Sequence, residues 1–101
     1  MTKESIIILR ERLALSEADF ASLVGVDNRT VRRWEAAEAT PSGSSEGVLM
    51  GLEDALRDMP GFGRLCRSVA PRGLHVLIYR LALVWEHAQE QADRLADGGA
   101  R

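Results

Sequence analysis

Apolar residues recur along this chain at steps of three and four, and short polar or breaker-rich stretches interrupt them. That rhythm predicts helices throughout. Ile6, Leu9 and Leu13 give a first helix one covering face, and Ser16 ahead of Glu17, Ala18 and Asp19 resembles a capping box that starts a second. Phe20, Ala21 and Val24 then share a face. Gly25 stands where that helix must stop in a left-handed conformation that glycine adopts cheaply. Val26 follows as a small apolar plug, and Asp27 is a suitable N-cap for a third helix in which Val31 and Trp34 point inward. Arg29 and Arg33, four apart, fall on the opposite side at roughly 100° per residue.

The second half has a coarser pattern. After the connection Pro41 to Ser45, the residues Val48, Leu52, Ala55, Leu56 and Met59 predict a fourth helix through about Asp58 that closes the N-terminal core. The run Pro60-Gly-Phe-Gly63 ends it, and residues 64 to 69 leave room for another helical turn or two before Pro71. From about Arg72 to Ala96, Leu74, Ile78, Leu81, Trp85, Ala88, Ala92 and Leu95 alternate in steps of four and three, the spacing of a packed helical seam. Leu77 and Val84 widen it. A small core cannot cover so much apolar surface, so homodimerisation through Leu74, Ile78, Leu81, Trp85 and Ala88 is expected. The alternative is a last helix folded back on the fourth within one chain. Residues 96 to 101 are expected to fray.

The stretch from Leu9 to Pro41, about a third of the chain, resembles the helix-turn-helix of the phage-repressor and Cro type, the Xre-like regulators. The matching features are LxxRLxLS at 9 to 16, Ala21, GV at 25 and 26, TVRRWE at 30 to 35 and EATP at 38 to 41. The resemblance implies an all-α, lambda-repressor-like bundle of about four helices with a long C-terminal helix. It divides the chain into a DNA-binding domain over 1–59, a connector over 60–71, and a C-terminal helix over 72–101 for packing or dimerisation.

In that family the second helix of the motif lies in the major groove, which implies base-reading roles for Asn28, Arg29 and Arg33. An arginine fork can donate twice to guanine, and an asparagine can pair twice with adenine. Arg32 projects toward the helix flank and is assigned to a phosphate, with Thr30 and Ser16 as further phosphate contacts. The competing reading makes the arginines a solvated surface paired with nearby acids. Trp34 shares its face with Val31 and reads as core, not as a stacking platform. Arg10 and Glu35 match positions where relatives place a structural ion pair between the first helix and the recognition helix. Glu17 departs from the pattern, because relatives commonly carry glutamine there and a carboxylate repels the neighbouring phosphate.

Charge and composition narrow the partners. The net charge of −2, from 13 basic and 15 acidic residues, denies the protein a bulk pull on DNA, so binding must depend on local positive charge. Residues 28 to 34 supply it, with three arginines and no acid. The lone Cys66 excludes an internal disulfide and suits a reducing cytoplasm, the expected location. His75 and His87 stand twelve apart without ligand-type neighbours, so neither a metal nor a cofactor is expected. No catalytic residues are expected either: there is no phosphate-cradling glycine loop, and Glu86 beside His87 lacks the second histidine of a zinc-protease motif. The run IIIL at 6 to 9 is far too short to span a bilayer, and no leader-like segment opens the sequence. Double-stranded DNA is the expected partner. An antitoxin-like protein partner for the C-terminal half is the alternative.

Overall fold

In the computed structural model, which describes residues 1–99, each early helix begins on a side chain that satisfies its first backbone donors. Thr2 accepts from the Ser5 amide at 3.1 Å while the Ser5 hydroxyl accepts from the Thr2 amide at 3.0 Å, and this reciprocal box starts α1, Lys3–Leu13. Ser16 accepts from the Asp19 amide at 3.1 Å to start α2, Glu17–Val24. Asp27 accepts from the Thr30 amide at 2.8 Å to start α3, Asn28–Glu35. Gly25 ends α2 with φ of 88°, the left-handed stop expected of it. α4 spans Gly43–Asp58, α5 Phe62–Val69 and α6 Leu74–Gly99, with a 3-10 turn over Ala70–Arg72 between the last two. The protein is all-α among the described residues.

The core gathers Ile6, Leu9 and Leu13 from α1, Phe20, Ala21, Leu23 and Val24 from α2, and Val31 and Trp34 from α3. α4 contributes Leu49 and Leu52 as its buried pair, whereas Val48, Ala55 and Leu56 are half-buried and Met59 is exposed. Its inward face is therefore rotated slightly from the sequence expectation. The larger difference concerns residues 60–71, expected as a connector. They form α5 and the 3-10 turn, and Phe62, Cys66, Val69 and Ala70 all enter the core. The 3-10 turn packs closely against α2. Arg67 of α5 donates to the Leu13 carbonyl at 3.2 Å, satisfying an acceptor that the end of α1 leaves free. Burial pushes the Cys66 thiol up to about 11, so it remains a protonated packing group.

α6 divides in two. Its first two turns belong to the core through buried Val76 and Leu77 and half-buried Leu74 and Leu81, packing on α2, α5 and the 3-10 turn. From Ala82 to Ala96 every residue is exposed. The helix does not fold back along α4, because its cover comes from the other elements and ends near Met59. Twenty-six residues at 1.5 Å each span about 39 Å, so the helix projects and the molecule measures 60 × 23 × 23 Å. The helix continues through Gly99 where fraying was expected from 96; residues 100 and 101 lie outside the described residues.

Candidate functional site

α3 turns Val31 and Trp34 into the core at 0% and 4% exposure, and this burial fixes which side faces out. Arg29, Arg32 and Arg33 occupy that outer side and line an open groove with Ala36 and Glu38. Among the described residues, neither Arg29 nor Arg33 has a carboxylate within ion-pair distance. Arg32 does: its Nε donates to Oε2 of Glu17, the first residue of α2, at 3.1 Å. Both partners are substantially exposed, so solvent screens the pair and a competing anion can displace the carboxylate.

The start of α3 is shaped by capping. The side-chain and backbone hydrogen bonds at Thr30, followed by the nearby Arg29 charge, hold the Asp27 carboxyl below its ordinary value. Thr30 is half-buried and Asn28 is half-buried beside it. The Asn28 amide oxygen is enclosed with no hydrogen-bond partner, so a double pairing with a base requires that oxygen to turn outward. Ser16 is exposed; its oxygen accepts from Asp19, and its hydroxyl proton is left to donate. Only the serine half of the expected capping box is present at α2.

Arg10 ties α1 to the end of α3. Its Nη2 and Nε donate to Glu35 Oε1 at 2.8 and 3.0 Å, while Nη1 donates to the Leu15 carbonyl at 3.2 Å. The two side chains are 21% and 12% exposed, and Glu35 Oε2 is buried without a partner. Removing Arg10 would therefore strand a carboxylate that has little water to replace it.

The C-terminal positions separate into two sets. Leu81, Trp85 and Ala88 come together with Val84 and Met59 around an apolar groove of about 410 Å³. Ile78 lies exposed beside it, and Leu74 is half-buried against the core. Sequence spacing alone did not connect Met59 to this groove, since it comes from the end of α4. A second groove, lined by Arg72, His75, Val76, Tyr79 and Arg80, flanks the base of α6 and had no sequence signal beyond its scattered basic residues. Among the described residues no three His, Cys, Asp or Glu side chains gather as metal ligands. None of the helices described is long and apolar enough to cross a membrane.

Compared with known proteins, residues 6–45 match a family model described as helix-turn-helix. The chain matches no curated protein and no solved structure.

Proposed function

From residues 6–45, which belong to the Xre-like helix-turn-helix family of DNA-binding transcription regulators, we propose a repressor that binds an inverted repeat in double-stranded DNA as a homodimer. The supporting observation is the outer face of α3, where Arg29 and Arg33 stand exposed with no ion pair among the described residues, opposite buried Val31 and Trp34. In the major groove these two arginines read base edges, each good bidentate contact being worth about 1–3 kcal/mol of discrimination. Asn28 joins them once its amide turns outward. Arg32, Thr30 and Ser16 hold phosphates on either side, and Arg10 with Glu35 keeps α3 at a set angle to α1.

Binding then requires Arg32 to exchange the Glu17 carboxylate for a phosphate. Such a swap trades one screened ion pair for another and gains little, and Glu17 remains close to the incoming backbone. This protein should bind weakly to DNA at large and depend on base contacts for affinity. Two copies presenting α3 one turn of DNA apart, about 34–36 Å, would supply the missing strength. A DNA target and the free thiol of Cys66 would both suit a reducing cytoplasm.

A second reading is favoured by the bare distal part of α6: an antitoxin-like accessory protein that binds another protein there and uses DNA for autoregulation. Selection of duplexes from a random library, with complex mass determined in parallel, separates the two. Enrichment of an inverted repeat by a dimer is the expected result. A folded protein that enriches no sequence would overturn the operator-binding proposal.

A further inference from the structure

Beyond Leu77, α6 carries an apolar stripe that its own chain does not cover. Ile78 is 58% exposed, Val84 55%, Trp85 64% and Leu95 75%, with Met59 at 37% at the edge. Ala88 and Ala92 are exposed along the same line. The large and small residues are unevenly placed: isoleucine, leucine and tryptophan come first, and alanines follow.

We infer that a second copy of this chain covers the stripe with its own α6 running antiparallel, about a twofold axis that crosses the stripe at the level of residue 83. This rests on the homodimer reading above and specifies its interface. In that register Ile78 faces Ala88 of the partner subunit and Leu81 faces Trp85 of the partner subunit. Each layer pairs a larger residue with a smaller one, or two that fill the groove beside Met59, which is how facing positions reach native packing density. A parallel pair would stack tryptophan on tryptophan in one layer and alanine on alanine in the next two helical steps. One interaxial distance cannot serve both.

The area is adequate for two copies. Taking about 150–250 Å² for a large exposed side chain, these exposures leave on the order of 600 Å² of apolar surface per protomer. Doubled and extended by polar flanks, that reaches the lower part of the ~1,200–2,000 Å² range of stable interfaces. Antiparallel packing also gives the distal half a use, since Leu95 then lies level with the partner's 3-10 turn and not in water. Charge biases the same orientation. Residues 72 to 85 hold Arg72 and Arg80 and no acid, whereas 86 to 96 hold Glu86, Glu90 and Asp93 against Arg94. These groups lie mostly away from the stripe, so they set direction at low salt and add little strength.

The test introduces cysteines at exposed positions and treats the full-length protein with a short bismaleimide; buried Cys66 provides no competing site. Ile78→Cys with Ala88→Cys in one chain should link protomers covalently. Either change alone should not, because ten residues along a helix separate like positions by about 15 Å. Linkage of Ala88→Cys by itself would establish a parallel pair and overturn the inference. A dimeric mass with no linkage in any variant would overturn the α6 interface while leaving the homodimer standing. A monomeric mass in the unmodified protein at every concentration would overturn both, and DNA selection then reports separately on operator binding.

Discussion

The packed body up to Leu77 and the distal part of α6 are both helical, yet they owe that state to different causes. α2, α3 and α5 are eight residues each, too short to hold together in water by propensity alone. They persist because each places two or more side chains in a shared core and two of them start on a capping side chain. Distal α6 has length and good helix formers, yet from Ala82 to Ala96 none of its residues is buried. Its exposed apolar stripe is the surface proposed to be covered by a second copy.

The contrast can be broken most sharply at its packed side. Phe20→Ala empties a site at 0% exposure and should cost about 3–5 kcal/mol, seen as an early denaturant midpoint. Trp85→Asp, by contrast, should leave the body folded at low concentration. Light scattering should show loss of the dimer, and operator binding should weaken because the two recognition helices are no longer linked; an unchanged mass would remove α6 from the interface.

Finer distinctions lie within the surface proposed to face DNA. Arg33→Ala should relax base preference at one position of the half-site and cost about 1–3 kcal/mol, read by competition between duplexes. Arg32→Ala should weaken all sequences alike and reduce the salt slope by about one. Glu17→Gln should strengthen binding to every duplex by a few-fold, since an exposed pair is worth about 0.2–1 kcal/mol. Weaker binding would show that Glu17 orients Arg32 and does not compete for it.

The smallest expected effect is acid sensitivity at the start of α3. The Asp27 carboxyl is held below its ordinary 3.8, so its contribution is complete above that pH and is lost as the pH falls through the lowered value. Asp27→Asn retains a capping oxygen and should flatten the acid limb of a stability profile. An unchanged limb would assign acid loss to other carboxylates.

Most of the geometry of the surface proposed to face DNA was legible in the sequence because its causes are local. Ser16, Gly25 and Asp27 act within one turn of themselves, and the spacing of Val31 and Trp34 decides where Arg29 and Arg33 point. Asn28 is the exception at residue level. Its type suited adenine, but half-burial encloses the amide oxygen, and no pattern of spacing reports that. Glu17 was noted as an obstacle to phosphate, while its bond to Arg32 depends on how α2 and α3 cross.

The starts of α2 and α3, the stop at Gly25 and the outward side of α3 follow from the chain alone, since each rests on contacts three or four residues apart. The core role of residues 60–71, the bond from Arg67 to the Leu13 carbonyl, and the point where cover on α6 ends rest on contacts across up to 54 positions. Only the assembled helices decide these, because burial depends on which neighbours arrive. A glycine-flanked stretch reads as a connector until Phe62 and Cys66 of α5 are seen packed in the core against α1 and α4.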